Sequence, residues 1–193
     1  MKLKLQKSTT ETDLITKCKR GNSKAQAAVY DKYSGKMLSI CRRYIKEENE
    51  AEDTMIQAFM KAFSKIDQFK QEGSFEGWLR RIMVNESLTY LRRNKSMYLE
   101  VEIEAADHEP DYRMLNSHLE AEDLLKMVNG LPMGYRTVFN LYAIEGYSHK
   151  DISEQLGITV NTSKSQLSRA RNMLQNMLLQ SEKSINEKII GHE

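Results

Sequence analysis

GYSHKDISEQLGITVNTSKSQLSRARNML, residues 146–174, is the stretch on which the reading of this chain turns. Ser148 and Asp151 have the spacing of a helix start, in which a hydroxyl and a carboxylate satisfy the first free amides. Ile152 and Leu156 follow on one helix face, and Leu156-Gly157-Ile158 is a tight turn with apolar flanks. In the second helix Val160, Ser163, Leu167, Ala170 and Leu174 read as inward, and Thr162, Lys164, Ser165, Gln166, Arg169 and Arg171 as outward. A helix, a short glycine turn and a polar, basic second helix make the helix-turn-helix pattern. Such a helix fits a major groove, where Arg and Gln read base edges while Ser, Thr and Lys hold phosphates.

Working towards the amino end, a helix is expected from about Tyr135 to a stop at Gly146. Before it, Gly130-Leu131-Pro132 ends a helix that carries Leu124, Leu125 and Val128 and opens on the capping-box spacing of SHLE, 117–120. Residues 94–115 differ in character. They hold Pro110, six acids and the alternation Leu99-Glu-Val101-Glu-Ile103-Glu, and no hairpin partner lies nearby. Like-charge repulsion predicts an extended linker there.

The preceding part is periodic again. Leu14, Ile15 and Cys18 form one helical run, Ala25, Ala28, Val29 and Tyr33 a second, and Met37, Ile40, Cys41, Tyr44 and Ile45 a third. Residues 1–10, basic and aperiodic, read as a frayed end. KEENEAED, 46–53, places acids in the first turns of a further helix, where the macrodipole favours them. At about 100° per residue, Met55, Phe59, Ala62, Phe63 and Ile66 form its buried stripe, and Asp53, Gln57, Met60 and Ser64 line the opposite face, with Ile56 towards the edge. QFKQEGSFEG, 68–77, is a loop with two glycines. Trp78 to Arg93 is helical, with Leu79, Ile82, Met83, Leu88 and Leu91 as its apolar set and Trp78 as core. The architecture expected is all-α, with domains at 1–95 and 116–193 joined by an acidic linker at 96–115.

Charge follows these divisions. Residues 1–95 carry 20 Lys/Arg against 12 Asp/Glu (net +8), residues 96–127 carry 2 against 9 (−7), and residues 128–193 carry 7 against 6 (+1). The basic first half calls for an acidic or phosphate-bearing partner. No uninterrupted apolar run exceeds four residues, far short of a span or a signal segment, so a soluble cytoplasmic chain is expected. Only two prolines and nine glycines in 193 residues argue against a turn-rich β fold. Cys18 and Cys41 lack CxxC spacing, and His108, His118, His149 and His192 are scattered, so neither a disulfide framework nor a metal site is expected. No HExxH, GxGxxG or Walker loop is present. The acids at 47–53 are contiguous on a helix start and point in different directions, which disfavours a nuclease. The eleven methionines read as plastic core filler.

The run from Leu131-Pro132 through YRTVFNLYAIEGYSHKDISEQLGITVNTSKSQLSRARNML resembles region 4 of extracytoplasmic-function (ECF, group 4) RNA polymerase sigma factors, most closely at Thr162 to Arg171. AEDTMIQAFMKAFSKIDQFKQEGSFEGWLRRIMVNESLTYLRR, 51–93, resembles their region 2. The other large sigma regions are not evident, as in the short ECF class. The resemblance implies a −35 surface made of Thr162, Ser163, Lys164, Ser165, Gln166, Arg169 and Arg171. It implies polymerase docking through Asp53, Ile56, Gln57 and Met60. Here the chain departs from the family, which follows this Asp three residues later with Gln and then Glu; Ile56 and Gln57 make the face less polar. For the −10 element it implies capture of an extruded base by Lys70, Gln71 and Ser74, with Arg80, Arg81, Asn85, Arg92 and Arg93 along the DNA backbone. The partners implied are core RNA polymerase, promoter DNA and an anti-sigma factor, with no cofactor, no chemistry of its own and no membrane insertion. The alternative is a one-component helix-turn-helix regulator binding DNA as a dimer, which leaves residues 20–93 without a ligand pocket or dimer signal to explain them.

Overall fold

The computed structural model describes the backbone of residues 10–94 and 121–190, with side chains for 10–94 and 123–181. The expectations for residues 1–9, for the linker at 96–115 with its alternating Leu99–Ile103, and for the capping box at 117–120 lie outside the described residues. All described regular structure is helical, and the chain divides into two compact units, Met1–Tyr90 and Leu91–Glu193.

In the first unit, α1 (Glu11–Lys19) is capped by the Thr10 hydroxyl, which accepts from the Asp13 amide at 3.3 Å. Thr10 thus belongs to a helix start and not to a frayed end. Gly21, at φ +73°, lets the chain leave α1, and the Asn22 side chain caps α2 (Ser23–Arg42) by accepting from the Ala25 amide. The two apolar runs expected as separate helices are one. Ala25, Val29, Tyr33, Met37, Ile40 and Cys41 form an unbroken buried stripe, and Gly35 between the runs sits exposed on the far side. A solvent-facing glycine weakens a helix by about 1 kcal/mol, and the continuous stripe outweighs that.

Helix α3 (Glu48–Ser64) buries Ala51, Thr54, Met55, Ala58, Phe59 and Ala62. Its alanines admit close approach of a neighbouring helix, and Tyr30 of α2 packs on Phe59 with the rings tilted at 57° and their centroids 4.9 Å apart. A single 3₁₀ turn, Ile66–Gln68, follows. Helix α4 (Phe75–Arg93) starts three residues before the expected Trp78, so the loop shrinks to Phe69–Ser74. The cause is a cap: the Ser74 hydroxyl accepts from the Gly77 amide at 3.0 Å. Lys36–Glu76 (2.5 Å) and Lys61–Glu86 ion pairs tie α4 to α2 and α3.

The second unit comprises α5 (Ala121–Gly130), α6 (Met133–Phe139), α7 (His149–Leu156) and α8 (Val160–Ile190). Val128 of α5 is buried, whereas Leu124 and Leu125, part of its apolar set in sequence, are exposed. The helix expected from Tyr135 begins at Met133 and widens after Phe139 into a π turn, Asn140–Ile144, where Glu145 N–H donates to Asn140 C=O at 2.9 Å. Gly146, at φ +76°, ends it as expected. Arg136, only 1% exposed, donates from Nη1 to the Asn129 carbonyl at 3.2 Å, placing its charge at the negative end of α5. Leu131, Tyr135 and Ala170, with Phe139, Met173 and Leu174 against them, join α6 to α8.

Candidate nucleic-acid interface

Helices α7 and α8 make the turn read from the sequence. Ser148 and Asp151 form a reciprocal capping box, and Gly157 leaves α7 in the left-handed region at φ +68°. Thr159 then caps α8: its hydroxyl accepts from the Thr162 amide at 3.0 Å and bonds the Thr162 hydroxyl at 2.9 Å.

The face that α8 presents differs from the one expected. Ser163, Gln166, Leu167 and Ala170 are buried, an arc centred near Ala170 at about 100° per residue. Gln166 is therefore inside, 5% exposed, and not outward. It fills the space beside Gly134 of α6, where an added Cβ would lie 3.3 Å from Gln166 Nε2. Ser163 is fully buried, and its hydroxyl pairs with His149 Nδ1 at 2.9 Å, so it is not available to a nucleic acid. Val160, expected inward, is 37% exposed at the first turn. The middle of the exposed face is instead Asn161, Ser165 and Ser168, flanked by Lys164 and Arg171 on one side and by Thr162 and Arg169 on the other. Asn161 and Ser168 were missed, although the inward set Val160, Ser163, Leu167, Ala170 and Leu174 already places both on the far side of the helix.

The flanks are braced from other helices. Arg169 Nη1 donates to the Tyr135 hydroxyl at 3.4 Å. The Arg171 guanidinium lies over the Tyr142 ring at 5.8 Å, and Tyr142 stacks on His149 with centroids 4.5 Å apart. Burial first, then the charges of Lys164 and Arg171, hold the His149 imidazole below the ordinary histidine range. A neutral ring is thus favoured there, with Nδ1 bonded to Ser163.

In the first unit, Asp53, Ile56, Gln57 and Met60 share one exposed face of α3, as their spacing required. Ile56 is 39% exposed and Met60 67%. Both border a groove of about 340 Å³ between α2 and α3, whose other walls include Ala27, Tyr30 and Phe63. In the loop, Lys70, Gln71 and Ser74 are all exposed, but the Ser74 hydroxyl is already engaged as the α4 cap. Gly77 serves that cap and not a close backbone approach, since a Cβ there would lie 3.0 Å from the Ser74 oxygen. Gln71 holds φ +62° and Gly73 φ +97°. Trp78 is half-buried between Phe69 and Phe75, at 5.6 Å from each ring. On α4, Arg81, Asn85 and Arg92 fall on one exposed strip, with Arg80 and Arg93 to either side.

Two family models match this chain: Sigma-70 region 2 over residues 29–97 and Sigma-70, region 4 over residues 121–174. The chain is 30% identical to the ECF RNA polymerase sigma-E factor of Haemophilus influenzae over 182 residues, 88% of this chain and 95% of that protein. It is 31% identical to the ECF RNA polymerase sigma factor SigW of Bacillus subtilis over 176 residues, covering 85% and 94% of the two. Among solved structures it is similar to the sigma factor RpoE of Bartonella quintana, crystallised with the anti-sigma factor NepR. There the identity is 28%, the TM-score 0.49, and the match covers 80% of this chain and 96% of that one. With the α3 face, the loop and basic strip before and along α4, and the α7–α8 turn all falling within the matched regions, the chain belongs to the ECF RNA polymerase sigma factors.

Proposed function

We propose that the two units divide the work of promoter recognition. The α3 face of Asp53, Ile56, Gln57 and Met60 docks on core RNA polymerase, with Ile56 and Met60 supplying apolar contact. The loop at 69–74 and the α4 strip of Arg81, Asn85 and Arg92 receive the −10 element, with Lys70 and Gln71 nearest an unstacked base. The face of α8 centred on Asn161, Ser165 and Ser168 reads the −35 element, while Lys164, Arg169 and Arg171 hold phosphates beside it. The observation that carries this reading is the exposed polar face of α8, bounded by cations and set against a left-handed glycine turn. Polymerase performs the chemistry, and the chain adds none of its own. It acts in the cytoplasm without inserting in the membrane; no described helix is long and apolar enough to cross one. An anti-sigma factor is the regulatory partner proposed with it.

Run-off transcription with core polymerase on fragments of the source genome tests this. Discrete start sites that depend on the added chain are expected. Transcription indifferent to it, together with tight DNA binding by the free chain as a dimer, would overturn the proposal in favour of a one-component regulator.

A further inference from the structure

The loop between the 3₁₀ turn and α4 is held in a shape it would not choose alone. Gln71 sits in the left-handed region at φ +62°, where a residue with a Cβ carries a strain of the order that marks functional segments. Residues 70–74 are exposed, so burial of their own side chains does not fix that shape. Its two ends are fixed. Phe69 and Phe75, both buried, meet at 5.3 Å between centroids, and the Ser74 cap holds the start of α4.

A further bond comes from elsewhere in the chain. Lys19, in the last turn of α1, donates from Nζ to the Phe69 carbonyl at 3.0 Å, across 50 residues of sequence. That carbonyl belongs to the peptide that enters the loop, two residues before Gln71. The other end of α1 is anchored too: Glu11 accepts from Tyr33 and pairs with Lys32 at 2.6 Å, both on α2. These two bonds hold the Glu11 carboxyl below the ordinary range. Ile15 and Cys18, buried between the two anchors, pin the middle. Helix α1 is therefore a strut between α2 and the loop, and it lies outside residues 29–97 matched by the region 2 model.

We infer that Lys19 is a positioning residue for −10 recognition: through its bond to the Phe69 carbonyl it holds the loop of Lys70 and Gln71 in the shape that receives the base. The inference rests on the proposed reading of that loop. Lys19→Met keeps the aliphatic stem and removes the donor, whereas Lys19→Arg keeps a donor. Two measurements follow on these full-length variants. Hydrogen exchange of the Phe69 and Gly77 amides in the free chain, which are bonded to the Ile66 carbonyl and the Ser74 hydroxyl at the two ends of the loop, should be about tenfold faster in Lys19→Met, the factor for losing one charge-assisted bond, and should return towards the parent rate in Lys19→Arg. In the holoenzyme, the ratio of open-complex formation on a promoter and on versions with single −10 substitutions should fall about five- to tenfold in Lys19→Met, with core affinity unchanged. General destabilisation would lower opening on all promoters alike and leave that ratio standing.

Unchanged exchange in Lys19→Met overturns the strut outright. Faster exchange with an unchanged −10 ratio also overturns the inference, and Lys70→Ala with Gln71→Ala then locates the fault. If that double variant shifts the ratio, the loop reads the base and only the role of Lys19 falls. If it too leaves the ratio unchanged, the proposed function of the loop falls as well.

Discussion

Replacing Ile56 and Met60 together with Gln should weaken binding to core polymerase while leaving the chain folded. Glutamine keeps helix propensity and side-chain length, so the change removes apolar surface without adding a charge. Full burial of an Ile or Met side chain contributes about 1.5–3 kcal/mol. Scaled by the exposed fractions, 67% for Met60 and 39% for Ile56, the surface available for docking is worth about 1–2 and about 0.6–1.2 kcal/mol. Together they give about 1.5–3 kcal/mol, a dissociation constant raised about 10- to 150-fold. The covered remainder of the two side chains contributes to the fold on the same scale, so the free chain should lose about 1.5–3 kcal/mol in unfolding yet stay folded at the temperature of the binding assay. A competition titration against labelled parent chain, at two salt concentrations, reads the effect. The apolar loss should be nearly independent of salt, whereas loss on Asp53→Lys should shrink as salt rises. An affinity within twofold of the parent would show that this face stays wet in the holoenzyme and would refute the docking proposal for α3.

Gln166→Ala should cost the second unit about 1–2 kcal/mol in thermal unfolding while leaving base preference intact, whereas Asn161→Ala or Ser165→Ala should relax preference at one −35 position by about 1–3 kcal/mol; binding across single-base variants separates them. Lys164→Ala should weaken all sequences alike and reduce the salt slope of DNA binding by about 0.9, if it holds one phosphate. His149, held below its ordinary range, stays neutral in both states above the unfolded value of about 6.5. It favours the unfolded state as pH falls below that, so melting between pH 7.5 and 5.5 should show a destabilisation that His149→Asn diminishes. Burial pushes the Cys41 thiol up to about 11, so native Cys41 should resist alkylation at pH 8 and react only on unfolding; labelling of the folded chain at that position would contradict its burial.

Local chemistry made the helices and their faces legible. The Ser148–Asp151 box needs only atoms three residues apart, and the apolar period of 46–66 already separates Met55 and Phe59 from Asp53, Gln57 and Met60. The left-handed stops at Gly146 and Gly157 were readable for the same reason. Continuity of α2 was not, because a glycine inside a helical pattern signals an end unless the stripe beneath it is known to be packed. Burial of polar groups was out of reach too. Gln166 goes inside because Gly134, on another helix, leaves room for it; Ser163 reads as inward from its period, but its partner His149 comes from another helix. Arg136 is buried because a helix end supplies a carbonyl. Lys19 reads in sequence as one more solvated cation; only folding brings Phe69 to it across 50 residues. Periodicity and caps are properties of neighbouring residues, and a sequence displays them. The partner that pairs a buried amide, hydroxyl or charge comes from a distant segment, so tertiary structure alone decides which polar side chains remain to meet polymerase and DNA.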